Sequence, residues 1–148
     1  IAPTAYPHTH EPLVEAMKSL DLGAIRNRRE AEMQLEKAIP EKALRQFLLQ
    51  NLRSTSDGLR WRINLEVIHR QMGALTGFDV AAAPCDVPSL FIYGTQSDYV
   101  TPKTTPAILK HFPKARLVAL EGTGHWLHAQ EPQRFIQAFQ EFADALET

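Results

Sequence analysis

The sequence predicts an α/β chain in which a helical first part leads into the end of a parallel β-sheet. Helical apolar spacing with recognisable caps runs to about Leu75. Two short apolar runs, 89–93 and 116–120, then alternate with helical patterns across short loops, the βαβα order that requires parallel strands. At 148 residues and 44% hydrophobic content the chain can bury a single core. Its 16 basic and 17 acidic residues give a net charge of −1, which leaves no basic surface for nucleic acid. No apolar run approaches the roughly 18 to 20 residues that span a bilayer. Cys85 is the only cysteine, so an internal disulfide or a cysteine-based metal cluster is excluded. The expected class is a folded chain of intracellular type. It begins at Ile1 rather than Met with no leader pattern, so the expectation is a processed chain or part of a longer polypeptide.

The elements follow in order. His10 or Glu11 can open a helix with Pro12 in its first turn, where a missing N–H costs least. Leu13, Ala16, Met17 and Leu20 then share a face, and Gly23 marks the exit. Asn27 with Glu30 fits a loose capping box for the next helix. Pro40 divides the following stretch into two helices, because it disfavours helical geometry at Ile39. Ser54 to Gly58 form a turn cluster, and residues 59–63 alternate as a half-exposed strand. Asn64 caps a helix carrying Leu65, Ile68, Met72 and Leu75. Such short amphipathic helices read as a lid, with residues 78–88 as a connector. Ser89–Tyr93, ending at Gly94, suits a strand buried on both faces. Thr105-Pro106 starts a helix, Arg116–Leu120 forms the second strand, and a last helix from Pro132 carries Phe135, Phe139, Phe142 and Leu146. Two strands are too few for a covered parallel sheet, so this half looks like the edge of a larger one. The expected division is therefore 1–85, lid with linker, and 86–148, the βαβα part of a core.

In an open parallel sheet, ligands bind beyond the carboxyl ends of the strands. Residues 94–100, Gly-Thr-Gln-Ser-Asp-Tyr-Val, occupy one such loop and 122–126, Gly-Thr-Gly-His-Trp, the other. The first offers a hydroxyl and a carboxylate. The second offers an imidazole, whose ordinary pKa near ~6.5 suits a general base. A lone histidine is ordinarily a packed or surface residue; its place after a buried strand, opposite an acid-bearing loop, makes His125 a candidate base. His8-x-His10 and His125-x-x-His128 have metal-compatible spacing, but no further ligand motif completes either, so no metal and no cofactor are expected.

Taken together, the two loops, His111-Phe112-Pro113-Lys114-Ala115 between them and Glu131-Pro132 before the last helix resemble the end of an α/β-hydrolase fold esterase. Ile1-Ala2-Pro3-Thr4-Ala5-Tyr6 and Trp61-Arg62-Ile63-Asn64-Leu65 sharpen the likeness to small bacterial esterases and their mitochondrial relatives, which hydrolyse acyl esters and thioesters. The resemblance implies a helical lid followed by the last two β-α units of the fold, and a location in the cytoplasm or, in a eukaryote, the mitochondrial matrix. It also implies that His125 is the catalytic histidine of a Ser-Asp-His triad, with Trp126 packed beside it. No serine here lies in the Gly-x-Ser-x-Gly elbow that holds such a nucleophile. The resemblance places it upstream of Ile1, in an N-terminal half that this chain would partner.

Two positions for the acid stay open. In many members it stands three residues after the glycine of the Gly94 loop, where this chain has Ser97, with Asp98 next. In the branch resembled, it is the Asp directly before an Ile-Ala-Pro segment, which falls ahead of Ile1; Ser97 is then an auxiliary hydroxyl of the acid–histidine network. Trp126, Tyr99, Phe47 and Met72 are candidates for an acyl pocket; Met17, Met33, Met72, Phe47 and Leu48 read by default as ordinary core, with part of that set lining such a pocket beneath the lid as the alternative. Arg26, Arg28, Arg29, Arg60 and Arg62 read as solvated faces, with contact to a CoA phosphate as the alternative. The expected partners are a small acyl ester or thioester, with no nucleic acid and no membrane span. The competing function is a non-catalytic ligand- or partner-binding protein that keeps a hydrolase shell.

Overall fold

The computed structural model describes residues 1–7, 10–78 and 83–147. The chain divides into one unit of Tyr6–Gly77 and a second of Ile1–Ala5 with Phe78–Thr148. The structure divides after residue 77 rather than 85, and the first five residues belong to the sheet unit rather than the helical one. The physical reason is burial: Ala2 is 3% exposed and sits with Val100 and Ile108, against Phe91 and Tyr93. Residues 79–82 of the expected connector lie outside the described residues.

The helical unit comprises α1 (Glu11–Lys18), α2 (Arg28–Leu35), α3 (Lys42–Leu49), a hairpin of β1 (Leu52–Thr55) and β2 (Gly58–Trp61), α4 (Leu65–Arg70) and α5 (Met72–Thr76). α1 starts where Pro12 predicts but stops well before Gly23. The Ser19 hydroxyl donates to the Ala16 carbonyl at 2.8 Å, satisfying an end carbonyl that another turn would otherwise occupy. Asn27 caps α2 as expected, its Oδ1 accepting from the Glu30 N–H at 3.0 Å. The reciprocal arm differs from a capping box: the Glu30 carboxylate accepts from the Arg26 N–H at 2.9 Å. That backbone bond, with the Arg26 side chain, holds the Glu30 carboxyl below the usual glutamate range. Asn27→Ala is expected to destabilise this unit by about 1 kcal/mol, read as a lower urea midpoint, with Asn27→Ser retaining most of the stability.

Pro40 separates α2 from α3, and Arg45 braces the join. It is 5% exposed, donates to the Ile39 and Pro40 carbonyls at 2.8 Å each, and faces Glu36 at 3.6 Å. The turn cluster closes an antiparallel hairpin with Leu52 opposite Trp61 and Thr55 opposite Gly58. β1 has no visible alternation in the sequence, because Leu52 is its one buried residue. Asn64 caps α4 by accepting from the Val67 N–H at 3.0 Å. The single helix expected through Leu75 instead breaks at Gln71, leaving Leu75 63% exposed. Leu35, Ile39, Leu49 and Leu52 centre one core cluster, while Val14, Met17, Leu65 and Met72 form another. Met33, expected as core or pocket lining, is exposed on α2.

The sheet unit contains β3 (Ser89–Gly94), α6 (Thr105–His111), β4 (Ala115–Leu120), α7 (Leu127–Gln130) and α8 (Pro132–Asp144). β3 and β4 pair in parallel from Ser89–Ala115 to Gly94–Leu120, as the βαβα order requires. α6 takes Thr104 rather than Thr105 as its N-cap residue. β3 differs from a strand buried on both faces: residues 89–93 are half-buried, and among the described residues β3 pairs with β4 alone. α8 packs on both strands with Ala138 buried, but its stripe is only partly used, for Phe139 and Leu146 remain exposed. No described helix is long and apolar enough to cross a membrane.

Candidate active site

The last residues of β3 and β4, Gly94 and Leu120, stand side by side in register. The loops that follow therefore emerge together at the carboxyl edge of the sheet, the position where α/β sheets bind ligands. Three hydrogen bonds lace them. The Thr95 N–H donates to the Leu120 carbonyl at 3.2 Å, the Gly122 N–H to Thr95 Oγ1 at 3.0 Å, and the Gln96 N–H to the Thr123 carbonyl at 2.9 Å. Thr123 is buried, its hydroxyl donating to the Leu120 carbonyl at 2.8 Å. Gly122 turns the second loop with φ +78°, a conformation that side chains disfavour. Gly94 is required for space: a Cβ there would overlap the carbonyl oxygens of Thr123 and Gly124.

This lacing presents His125 just beyond Gly124. The imidazole is exposed and helps to line a cavity of about 140 Å³ whose walls include Ile1, Gly94, Ser97, Tyr99 and Leu127. The Tyr99 ring lies 4.4 Å from the imidazole, centroid to centroid, at 39°. Trp126 meets His125 edge-on at 5.9 Å. Ser97 is buried beside them, and its Oγ accepts from the Tyr99 N–H at 3.4 Å, so its hydroxyl proton is available to donate. Of the two loop candidates for the acid's position, Ser97 faces this cavity, whereas Asp98 is exposed and is not part of its lining.

The remaining candidates fall elsewhere. Met72 is 4% exposed within the core of the helical unit, and Phe47 is 43% exposed on α3. His128 places its ring against Trp126 at 5.9 Å, the same indole that His125 meets. His8 lies outside the described residues. Among the described residues no group of three or more His, Cys, Asp or Glu side chains is placed to hold a metal ion. The lacing threonines were not singled out from the sequence. Their signal was there in the repeated Gly-Thr pair, Gly94-Thr95 at the end of β3 and Gly122-Thr123 just past β4.

Two parallel strands with their trailing loops laced together form the carboxyl edge of an α/β sheet. A family model described as "Alpha/beta hydrolase family" matches residues 2–138, and the chain belongs to that family. It is 35% identical over 146 residues to the sn-1-specific diacylglycerol lipase ABHD11 of Xenopus tropicalis, covering 96% of this chain and 44% of that protein. Esterase YbfF of Escherichia coli (strain K12) is 32% identical over 143 residues, covering 96% of this chain and 54% of that protein. A solved structure described as a marine microorganism esterase superposes with a TM-score of 0.90 at 40% identity, over 96% of this chain and 57% of that one. The chain thus spans about half the length of the relatives it matches.

Proposed function

We propose that this chain supplies the catalytic histidine and the lid of a serine esterase that hydrolyses acyl esters. In this account a serine outside these 148 residues is the nucleophile. His125 takes its proton as it attacks the acyl carbonyl, returns that proton to the departing alcohol, and then activates water against the acyl-enzyme. The observation that carries the proposal is His125 on a laced loop, in one cavity with the Ser97 hydroxyl. Relatives named as esterases and lipases support the same reaction class.

For the acid, support goes to a residue directly ahead of Ile1, because Ile1 itself lines the cavity while Asp98 does not. Ser97 then acts as an auxiliary hydroxyl toward the acid–histidine pair. Ser97→Ala is expected to lower kcat about tenfold in the full-length hydrolase that carries this chain, while Asp98→Asn leaves it within about twofold. The reverse ranking of kcat would assign the acid to Asp98.

Phe47 is the better acyl-pocket candidate on the lid, since Met72 is already consumed in packing. Three of the arginines considered for CoA phosphates are engaged nearby. Arg26 pairs with Glu30 at 2.8 Å, Arg28 donates to the Leu52 carbonyl at 2.6 Å, and Arg60 pairs with Asp57 at 3.2 Å. We rank neutral acyl esters above acyl-CoA thioesters because the relatives are named as esterases and lipases. The test is turnover of a p-nitrophenyl acyl-ester series against the matching acyl-CoAs. Ester hydrolysis is the expected result; tight acyl-ligand binding without any turnover would instead support the binding-protein alternative.

A further inference from the structure

We propose that Gln130 is a positioning residue for His125, an inference that rests on the hydrolase reading above. Gln130 is the last residue of α7, the short helix that follows the histidine loop. It bonds both sequence neighbours of His125. Its side-chain Oε1 accepts from the Gly124 N–H at 2.8 Å, and its backbone N–H donates to the Trp126 carbonyl at 3.0 Å. The second bond belongs to the helix and any residue would make it. The first depends on this side chain.

Gly124 has no side chain to anchor it, so its orientation is set by what its backbone touches. Its carbonyl oxygen is packed at Gly94, where a Cβ would overlap it, and its N–H is held by Gln130. The peptide planes on either side of Gly124 are thereby fixed, and they determine the direction in which the His125 side chain leaves the backbone. A base that must take a proton from one oxygen and return it to another needs that direction kept, because a misplacement of about 1 Å can cost roughly 100-fold in rate. Tyr99 restrains the imidazole from the facing loop. Gln130 restrains the backbone from behind.

Two variants at this exposed position separate positioning from general stability. Gln130→Met keeps the length and apolar stem but has no strong acceptor; Gln130→Glu keeps an acceptor oxygen at the same reach. In the full-length hydrolase that carries this chain, Gln130→Met is expected to speed exchange of the Gly124 amide by about threefold to tenfold and to broaden the His125 imidazole resonances, with the global unfolding midpoint unchanged. In the full-length hydrolase the same variant lowers kcat by about threefold to tenfold with KM unchanged, and Gln130→Glu restores both readouts. Unchanged Gly124 exchange and His125 signals in Gln130→Met, or failure of Gln130→Glu to restore them, overturns the proposal. The exchange and imidazole signals need no turnover. An inactive parent enzyme therefore overturns the hydrolase reading alone, and the positioning role is then decided by those two signals.

Discussion

Replacing His125 with alanine in the full-length hydrolase is expected to lower kcat by on the order of 10⁴- to 10⁶-fold, with the fold intact. The size follows from the histidine's double duty as base and then acid, since removing it disables both halves of acyl transfer. The fold should survive because the ring is exposed and lines a small cavity rather than filling a core. Near-normal circular dichroism and unfolding midpoint are therefore part of the expected result. Retention of more than about a tenth of the activity would remove His125 from the chemistry, since loss of a positioning contact alone accounts for a change of that size.

Gly94→Ala is the second large effect. The added methyl would meet the backbone carbonyls of Thr123 and Gly124, and neither can swing aside as a flexible side chain can. Either β3 or the histidine loop must move, and the loop is bound to β3's end by the Thr95 and Gln96 hydrogen bonds. Overpacking of this kind costs about 1–3 kcal/mol of stability. Displacement of His125 by an ångström adds about a 100-fold loss of kcat/KM. Gly124→Ala provides the control in the same loop, because its nearest neighbour, Gln130 Oε1, would lie 3.8 Å from the new methyl. That variant is expected to keep its unfolding midpoint. Equal losses from the two substitutions would show that loop flexibility, rather than the close approach at Gly94, governs the site.

The parts of this molecule legible in the sequence are those in which local chemistry and tertiary environment agree. Asn27 and Asn64 are short acceptors placed just ahead of helices, and each makes the cap its position suggests. The strands were visible as the apolar runs 89–93 and 116–120, the first ending at Gly94 and the second leading through Glu121 into Gly122, and the parallel pairing followed from the intervening helix. What stayed hidden depends on distant partners. Arg45 reads as one more surface cation in a charged helix, yet carbonyls left over at the Pro40 break draw it inside. β1 carries a single buried side chain and is defined by its partner strand. Within the candidate site, motif position marked His125 and Ser97, and both line one cavity. The ring contact from Tyr99 and the Gln130 bond to Gly124 were not legible, because each joins residues that only the fold brings together.

The most direct test of the central claim is intact-mass spectrometry of the full-length hydrolase after reaction with a fluorophosphonate serine probe, run beside its His125→Ala variant. The account predicts one adduct, on a serine outside these 148 residues, that forms rapidly with His125 present and at least 100-fold more slowly without it. No adduct on the unmodified protein, or equal labelling rates with and without His125, would contradict it.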